Sequence, residues 1–572
     1  ESSGMRFTTR STYSLIMHAS NCHIRLKARG NIASDASNSG FSRYLLWLES
    51  SLYQIMNLEF SKYAVRLHPD DHVAVLKKTL KAGAKLSGEG VEIKVRVTIP
   101  AGHKLALMSL AKGESVAKYG QIIGFAIQDI EVGDHVHSHN LGMGDFGRDY
   151  RIGELHSPLD SINDTDHRTF MGYNRGPGRK SGTRNYIAII SSVNCSASVS
   201  KYIAEHFKGD DFKRSFPHID GVMALTHKSG CSLLPDEPLE VLQRVLAGMA
   251  VHPNIAGYIL VGLGCEVNQI PHLIRKHGLT NPDDPDSAPI HMNIQTLGGI
   301  RKTVEAGVKS LTGFLPKLAG LKRTPCSVSD LMLAMNCGGS DGNSGITANP
   351  ALGVASDALV RHGATSVFGE TSEIYGAEHL LTQRAASREV GEKLLDLIRW
   401  WESYTAKFGA TIDNNPSYGN KEGGLTTIYE KSLGAVAKAG QAPLEAVYKY
   451  GEKISSSGLC FMDTPGNDPV SMTGLVSGGC NLGVFTTGRG SVFGCKPAPC
   501  IKVATNTPLY EWMEDDMDLN AGTILDGAET VEQVGMRLFE KMISVASGEK
   551  TKSEQCEMGD EEFAPWMLGP TL

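Results

Sequence analysis

The chain has 572 residues, of which 41% are apolar and 21% charged, and its formal net charge is −6. A chain of this length is expected to form about two to four domains, each with its own core. The slight acidic excess argues against a nucleic-acid surface, because such surfaces need clustered Lys and Arg to neutralise phosphates. No apolar stretch in the sequence is long enough to span a bilayer. We therefore expect neither a nucleic-acid partner nor attachment to a membrane.

Residues 1–55 differ in pattern from the rest of the chain. They have no sustained helical or strand period, and the apolar run at 11–17 is too short for a secretory signal. We expect a disordered extension here, and translated upstream sequence is favoured over a genuine extension. The chain has 11 cysteines, an odd number, and without such a signal this favours reduced thiols in a cytoplasmic protein.

Residues 56–140 contain short alternating runs separated by glycine. Examples are VEIKVRVTIP, KYGQIIGFAI and the turn EVGD, a pattern that predicts a small, curled β domain. Residues 141–169 are polar and aperiodic, which is typical of a linker.

The remaining residues alternate between apolar runs and helical segments. The runs YIAIISSVNCS, GYILVGLGCE, LMLAMNCGGSDG, SVFGE and LGVFTTGRG end in small residues, and segments such as EPLEVLQRVLAGMA lie between them. This alternation predicts an α/β fold with a parallel sheet, whose ligands gather at the carboxyl ends of the strands.

Cysteines recur at these strand ends, beside other polar residues. A single one of them would ordinarily be a small buried apolar residue. The recurrence favours a metal site, because thiolate, imidazole and carboxylate together suit iron or zinc. Cys195 belongs to this set, and the predicted ligands are Cys231, Cys265, Cys337 and Asp341, with His227, Glu266 and Asn194 close by in sequence.

Three glycine-rich loops are candidates for binding an anionic ligand. CGGSDGNSGITANP carries Ser340 and Asn343, and it is neither a P-loop nor a dinucleotide fingerprint. NPSYGNKEGGLTT and FTTGRGSVFG carry Lys421, Thr487 and Arg489, and the two cations could reach a carboxylate from among glycines. A structural turn and solvated charges are the alternatives.

The segment HVHSHN is a further candidate. On a strand, His135, His137 and His139 would share one face because side chains alternate. They could then converge on a metal or on a polyhydroxy acid, the alternative being an exposed polar edge.

Many motifs together carry a resemblance to a known family. They are GHKLALMSLAKGESVAKYGQIIGFA, DHVHSHN, FMGYNRGPGRKSGTRNYIAI, VNCS, GCS, GLGCE, NCGGSDGNSGITANP, NPSYGNKEGGLTTIYEKSLGAVAKAG and FTTGRGSVFG. In this order they resemble the altronate/galactarate dehydratase family, from about Met56 to the C-terminal GPTL.

The resemblance implies three domains and a reaction. The domains are an SAF-type β-clip at 56–140, a middle α/β domain used for dimerisation at 170–325, and a Rossmann-like catalytic domain at 326–572. The reaction is dehydration of a sugar acid to a 2-keto-3-deoxy acid by a homodimer, supported by Fe²⁺, Mn²⁺ or another divalent cation. Apart from the resemblance, the several cysteines leave an iron–sulfur cluster as the alternative cofactor. HVHSHN resembles the altronate type, so altronate is the first substrate and galactarate the second.

The chemistry of dehydration assigns roles to the candidate residues. His227 is the predicted base, because it precedes the SGCS turn and titrates near neutrality. Glu266 is a further catalytic carboxylate, and Lys421 and Arg489 are expected to hold a carboxylate or hydroxyls. The substrate-binding set is His135, His137, His139, Asn194, Ser340, Asn343 and Thr487.

Other classes of function are left open by the same residues. A related lyase could expel sulfite from a sulfonated hydroxy acid, and a sugar-acid sensor would need the loops but no metal. A thiol redox enzyme would fit the cysteine count, but the chain has no CxxC. We also expect the β domain, on its linker, to close over the α/β domains as a lid.

Overall fold

The computed structural model describes residues 57–162, 167–280, 288–318 and 320–569. In the first of these ranges, short strands separated by glycine turns form three small sheets. The expectation for residues 1–55 lies outside the described residues. The strands form sheets in the orders β1-β4-β5, β2-β3-β6-β9 and β10-β8-β7. They are β1 Asn57–Glu59, β2 Ala64–Val65, β3 Val73–Leu76, β4 Lys85–Gly88, β5 Val91–Lys94, β6 Lys104–Ala106, β7 Ser115–Lys118, β8 Gln121–Ala126, β9 His135–Val136 and β10 Leu141–Gly142, with one short helix, α1 Phe60–Tyr63.

The predicted EVGD turn shows why glycine is needed in this domain. Gly133 has a φ of +88°, and a Cβ at this position would lie 2.1 Å from the carbonyl oxygen of Lys94. A side chain would therefore both strain the backbone and separate the two chain segments. The tight turn keeps the domain small and returns the chain to the histidine segment.

A parallel four-stranded sheet, in the order β13-β12-β14-β15, organises the middle domain. Helix α4 covers one face through Leu242, Val245 and Leu246, which pack against Tyr258 and Leu260 of β14. The strands are β12 Tyr186–Ser191, β13 Gly221–Leu225, β14 Ile255–Gly262 and β15 His291–Asn293, and the helices are α2 Ala197–Glu205, α3 Asp210–Ser215, α4 Glu237–Ala250, α5 Ile270–His277, α6 Ile294–Leu297 and α7 Ile300–Leu318.

A two-stranded antiparallel sheet closes the base of the middle domain. Strand β11 (Thr169–Gly172) enters the domain, strand β16 (Thr324–Ser327) leaves it, and the two pair with Thr169 opposite Ser327. The chain thus enters and leaves the domain at one place.

A parallel seven-stranded sheet forms the C-terminal domain, in the order β19-β20-β18-β17-β21-β22-β23. The strands are β17 Met332–Cys337, β18 Thr365–Phe368, β19 Leu444–Tyr448, β20 Gly458–Met462, β21 Leu482–Thr487, β22 Cys500–Ala504 and β23 Leu519–Asn520. The helices are α8 Ala348–Arg361, α9 His379–Thr382, α10 Arg388–Ala406, α11 Tyr418–Glu422, α12 Ile428–Val436, α13 Asp468–Ser477, α14 Thr507–Trp512, α15 Val531–Ala546 and α16 Lys552–Gln555.

Both faces of this sheet are buried. Leu333 and Met335 of β17 share a core with α8 and α15, whereas Met332 and Ala334 share one with Met472 of α13. Because alternate residues enter different cores, the strand is a continuous apolar run. The predicted fold class is confirmed: a small β domain precedes α/β domains with a Rossmann-like parallel sheet.

The strand order places a crevice between β17 and β21. From β17 the next strand along the chain lies on one side of the sheet, whereas from β21 it lies on the other. Ligands of open α/β sheets bind outside the carboxyl ends of strands at such a reversal. Cys337 ends β17 and Thr487 ends β21, so the loops that follow both strands border this crevice.

Buried charges join the β domain to the C-terminal domain. Glu430 of α12 receives Lys104 Nζ at 2.8 Å and Lys118 Nζ at 2.9 Å, and all three side chains are at most 1% exposed. Lys104 also donates to the carbonyl oxygen of Gly424 at 2.7 Å. Opening this contact would leave charges without partners, so the β domain is docked rather than held as a free lid.

The predicted linker is likewise fixed to the C-terminal domain. Among its described residues, 143–162 and 167–168 contain no helix or strand. Arg148 nevertheless donates to Glu378 at 3.0 Å, and Gln383 donates to the carbonyl oxygen of Asp149 at 2.9 Å. Within the part of the chain that the structure describes, no helix is long and apolar enough to cross a membrane.

Candidate active site between the β domain and the C-terminal domain

Four imidazole rings cluster where the β domain meets the C-terminal domain. The ring centre of His135 lies 5.0 Å from that of His103, 5.2 Å from that of His137 and 5.6 Å from that of His139. The strand that begins at His135 ends at the next residue, so alternation along a strand does not explain this convergence. A turn closed by Asn140, whose amide donates to the carbonyl oxygen of His137 at 2.9 Å, gathers the rings instead.

Backbone carbonyls determine which ring nitrogens carry hydrogen. Nε2 of His103 lies 3.0 Å from the carbonyl oxygen of Glu422, and Nε2 of His137 lies 2.9 Å from that of Lys421. A carbonyl oxygen can only accept, so both Nε2 atoms donate, and in the neutral ring Nδ1 of His103 is an acceptor. Nε2 of His135, at 2.9 Å from that Nδ1, is therefore the donor of the pair.

This arrangement leaves Nδ1 of His135 as a base. No described residue forms a hydrogen bond with that atom, and in the neutral ring it is the nitrogen with a free lone pair. Burial, followed by repulsion from the neighbouring imidazoles, lowers the pKa of His135 to about 3. Burial lowers the pKa of His103 to about 4. Both rings are therefore neutral at physiological pH, and of the two only His135 has a ring nitrogen without a hydrogen-bond partner among the described residues.

A cavity of about 250 Å³ is lined by two residues that contact His137: Ser138 Oγ lies 3.0 Å from its Nδ1, and the carbonyl oxygen of Lys421 lies 2.9 Å from its Nε2. Ser138, Lys421 and Asn415 line it, so one wall comes from the β domain and another from the loop around α11. Arg489 stands near the same loop, where its guanidinium contacts Glu422 at 3.3 Å and remains 47% exposed. The two predicted cations are thus carried by neighbouring loops, and Arg489 is free to bind another anion.

The loop after β17 is built around Asp341. Its carboxylate accepts from Ser344 Oγ at 3.0 Å and from Asn343 Nδ2 and Thr505 Oγ1 at 3.1 Å. Burial raises the pKa of Asp341, and these donors oppose that shift. With its oxygens occupied, the carboxylate holds the loops together and is poorly placed as a metal ligand.

The other predicted residues of the crevice have separate roles. Ser340 Oγ and Asn343 Oδ1 are buried without a hydrogen-bond partner, so both can receive a ligand. Thr487 Oγ1 accepts from the amide of Gly490 at 3.0 Å and shapes the turn that carries Arg489.

Cys337 belongs to a buried group with two glutamates. Among the described residues, Cys337, Glu370 and Glu373 are the one set of three or more potential ligands whose donor atoms all lie within 4.8 Å of one another. Cys337 ends β17, and Glu370 and Glu373 follow the adjacent strand β18. This group could bind a metal ion.

Two lysines neutralise the same group. Lys438 Nζ lies 3.0 Å from Cys337 Sγ and 3.1 Å from Glu370, and Lys431 Nζ lies 2.7 Å from Glu373. A divalent cation would have to displace these ammonium groups or replace their protons. The donor set otherwise fits, because thiolate and carboxylates suit a divalent transition metal and Glu370 Oε1 and Glu373 Oε2 have no hydrogen-bond partner.

Glu370 shows further signs of a functional position. Its φ of +66° is uncommon for a residue with a side chain. Burial, and then the charge of Glu373, raises the pKa of Glu370 to about 8. Asn415 connects this group with the cavity, because it lines the cavity and donates to Glu373 at 2.8 Å.

The remaining predicted residues lie in the middle domain. Cys231 and Cys265 follow strands of its four-stranded sheet, whereas Cys337 ends β17 of the C-terminal domain and Asp341 follows that strand. The four predicted ligands thus do not form one group with donor atoms within 4.8 Å. The cysteines lie at or after strand ends as expected, but these strands belong to two separate parallel sheets.

His227, the predicted base, is bonded to the backbone through both ring nitrogens. Its Nε2 lies 2.9 Å from the carbonyl oxygen of Ser191, and its Nδ1 accepts from the amide of Ser229 at 3.2 Å. The ring therefore has no free nitrogen for a substrate proton. Glu266 is buried and accepts from Ser192 Oγ at 2.7 Å, and Asn194 is exposed beside Cys195.

Sequence reasoning missed several residues of the site. His103 occurs in the quoted motif GHKLAL, and Lys431 and Lys438 occur in IYEKSLGAVAKAG, so their motifs could have directed attention to them. Glu370 ends the quoted run SVFGE, where the strand-end rule applies equally. The rule was applied to cysteines and not to this carboxylate.

Three family models match the chain in succession. The altronate/galactarate dehydratase SAF domain matches residues 62–144, and the second domain of D-galactarate dehydratase/altronate hydrolase matches residues 172–319. The C-terminal domain of D-galactarate/altronate dehydratase matches residues 328–571.

Similar proteins cover most of the chain. It is 36% identical to an altronate dehydratase of Bacillus subtilis over 89% of this chain and 100% of the relative. It is 37% identical to a galactarate dehydratase (L-threo-forming) of Escherichia coli over 86% of this chain and 94% of the relative. It is 31% identical to the β subunit of a (2R)-sulfolactate sulfo-lyase of Chromohalobacter salexigens over 69% of this chain and 96% of that subunit. The chain belongs to the altronate/galactarate dehydratase family.

Proposed function

We propose that the protein dehydrates a sugar acid, altronate, to a 2-keto-3-deoxy acid. The observation that carries this proposal is the free Nδ1 of His135, held in a neutral histidine cluster beside a cavity that Lys421 lines. Such a base can remove the proton from the carbon adjacent to a carboxylate. Cations nearby stabilise the negative charge that then develops on the carboxylate oxygens.

His135 acts as the base, and His103 holds it in position. Nδ1 of His135 takes the proton from the carbon next to the carboxylate. Nε2–H of His135 stays bonded to His103 throughout, so the ring keeps the orientation in which Nδ1 is free. His103 is therefore a positioning residue, fixed in turn by the carbonyl oxygen of Glu422.

The cations bind the rest of the acid. Arg489 binds the carboxylate with its exposed guanidinium, and Lys421 donates to the β-hydroxyl as its carbon–oxygen bond breaks. The electron pair of the broken C–H bond forms the new double bond, the hydroxyl leaves as water, and the enol product rearranges to the keto acid.

A divalent cation completes the proposal, with Cys337, Glu370 and Glu373 as its ligands. When bound, it would supply positive charge that stabilises the enediolate. Iron(II) suits a set with one thiolate and two carboxylates, and it is the ion that we propose.

The test is a product assay under anaerobic conditions with added Fe²⁺. We expect keto acid from altronate, whereas galactarate as the better substrate would move the protein to the second branch. Sulfite release from a sulfonated hydroxy acid would favour the sulfo-lyase alternative. No product from any of these acids would contradict the dehydratase proposal.

A variant tests the base. His135→Asn should lower turnover of the preferred acid by about 10²–10⁴-fold, the usual contribution of a general base. His156→Asn, at an exposed histidine of the segment between the domains, is the matched control and should retain full turnover. Equal turnover in both variants would show that His135 is not the base.

A further inference from the structure

Three neighbouring loops of the middle domain each carry a cysteine outside the site described above. Cys195 follows β12, Cys231 follows β13 and Cys265 follows β14, and these strands are adjacent in the order β13-β12-β14. The carboxyl ends of parallel strands meet at one edge of a sheet, so the three loops lie side by side.

Hydrogen bonds between the loops hold them together. The amide of Asn194 donates to the carbonyl oxygen of Ser229 at 3.0 Å, and the amide of Val267 donates to that of Cys231 at 3.1 Å. The loop of Cys231 is thus bonded to the loops on both sides.

A buried carboxylate shapes the loop of Cys265. Glu266 is 3% exposed and accepts from the amide of Gly264 at 2.6 Å and from Ser192 Oγ at 2.7 Å. These bonds join the loop after β14 to the loop after β12. Gln295 Nε2 lies 3.3 Å from Cys265 Sγ, so an amide hydrogen already faces this sulfur.

The exposure of these thiols is unusual. In the described part of the chain, four of the ten free cysteines are exposed, and Cys195, Cys231 and Cys265 are three of them. Free cysteine is ordinarily among the most buried residue types. Packing therefore does not account for three exposed thiols at one sheet edge, whereas binding of a shared ligand does.

The spacing of the thiols favours a ligand larger than one ion. Thiolates on a single tetrahedral ion, with metal–sulfur bonds of about 2.3 Å, have sulfur atoms about 3.8 Å apart. Among the described residues, these three thiols do not form a group with all donor atoms within 4.8 Å of one another. A cluster with several iron atoms fits wider spacing, because each cysteine binds a different iron.

We propose that Cys195, Cys231 and Cys265 hold a [4Fe–4S] cluster, three irons of which are bound by cysteine. Each thiol loses its proton as it binds iron, and the Gln295 amide donates to the sulfur of Cys265. The fourth iron is left for a ligand that is not a cysteine of these loops. This site lies in a different domain from Cys337, Glu370 and Glu373, and the proposal does not rest on the dehydratase assignment.

The test measures iron and acid-labile sulfide in full-length protein purified anaerobically and reconstituted with ferrous iron and sulfide. We expect about four sulfides per chain and a visible absorption band. Labile sulfide separates the cluster from a mononuclear ion at Cys337, which would bind iron alone. Protein that binds no sulfide, or that binds a single zinc ion at these thiols, would overturn the proposal.

Serine variants locate the cluster. Cys195→Ser, Cys231→Ser and Cys265→Ser should each lose most of the labile sulfide. Cys556→Ser, at the fourth exposed cysteine of the described residues, should keep it. Retention in all three variants would overturn the assignment.

Alkylation of the unaltered protein is a second measurement that does not depend on how the variants fold. The cluster should protect the three thiols from alkylation while Cys556 reacts. Reaction of all four at similar rates, or a disulfide between any two of the three, would contradict the proposal.

Discussion

Replacing Glu430 by glutamine should destabilise the contact between the β domain and the C-terminal domain. The substitution keeps the size of the side chain and removes the one negative charge that Lys104 and Lys118 share, at 2.8 and 2.9 Å. All three side chains are at most 1% exposed, so water cannot replace the lost charge. Breaking a buried ion pair in this way costs about 3–5 kcal/mol.

The assay is urea unfolding followed by tryptophan fluorescence, with limited proteolysis to detect release of the β domain. The matched control is Glu392→Gln, which breaks the exposed pair with Arg388 at 2.6 Å and should cost at most about 1 kcal/mol. A loss in Glu430→Gln no larger than that of the control would refute the reasoning. Turnover should fall with docking, because Lys104 adjoins His103 in the sequence.

Three further outcomes are expected. As pH falls, kcat/KM should decrease only below pH 5, because burial lowers the pKa of His135 to about 3 and the neutral ring is the active form. A decrease centred near pH 6.5 would contradict this. Glu373→Gln should lower bound divalent metal and turnover together, whereas exposed Glu402→Gln should change neither, as metal analysis can show. Burial alone would raise the pKa of Glu430, but the two lysines outweigh it and lower the pKa, so the stabilising contribution of Glu430 is present above the ordinary pKa of glutamate and should be lost as pH falls well below 4. Acid unfolding of the wild type and of Glu430→Gln can be compared to test this.

The fold could be predicted from the sequence because its signals are local. The segment EPLEVLQRVLAGMA matches helix α4, Glu237–Ala250, whose first turn contains Pro238. The apolar runs YIAIIS and LMLAMNC contain strands buried on both faces, as expected of parallel sheets. Periodicity and turn chemistry act over a few residues, so they can be read without the tertiary structure.

The candidate site was harder to predict because distant segments form it. The clustering of His135 with His137 was anticipated from strand alternation, but a turn produces it, and His103 joins from the bend that precedes β6. The cysteines were assigned to one site because the sequence does not show how many sheets the strands form. The role of Glu430 could not be predicted from the residues around it, because its partners Lys104 and Lys118 lie far away in sequence, in the β domain.

The pairing of β11 with β16 has a consequence for synthesis on the ribosome. Residues Thr169–Gly172 leave the exit tunnel long before Thr324–Ser327, so β11 has no partner until the whole intervening domain has been translated. At about 5–20 residues per second, synthesis of that domain takes about 8–30 s, during which it can fold before β11 and β16 pair. The β11–β16 pairing forms only afterwards, when the middle domain has been synthesised and the C-terminal domain begins to emerge.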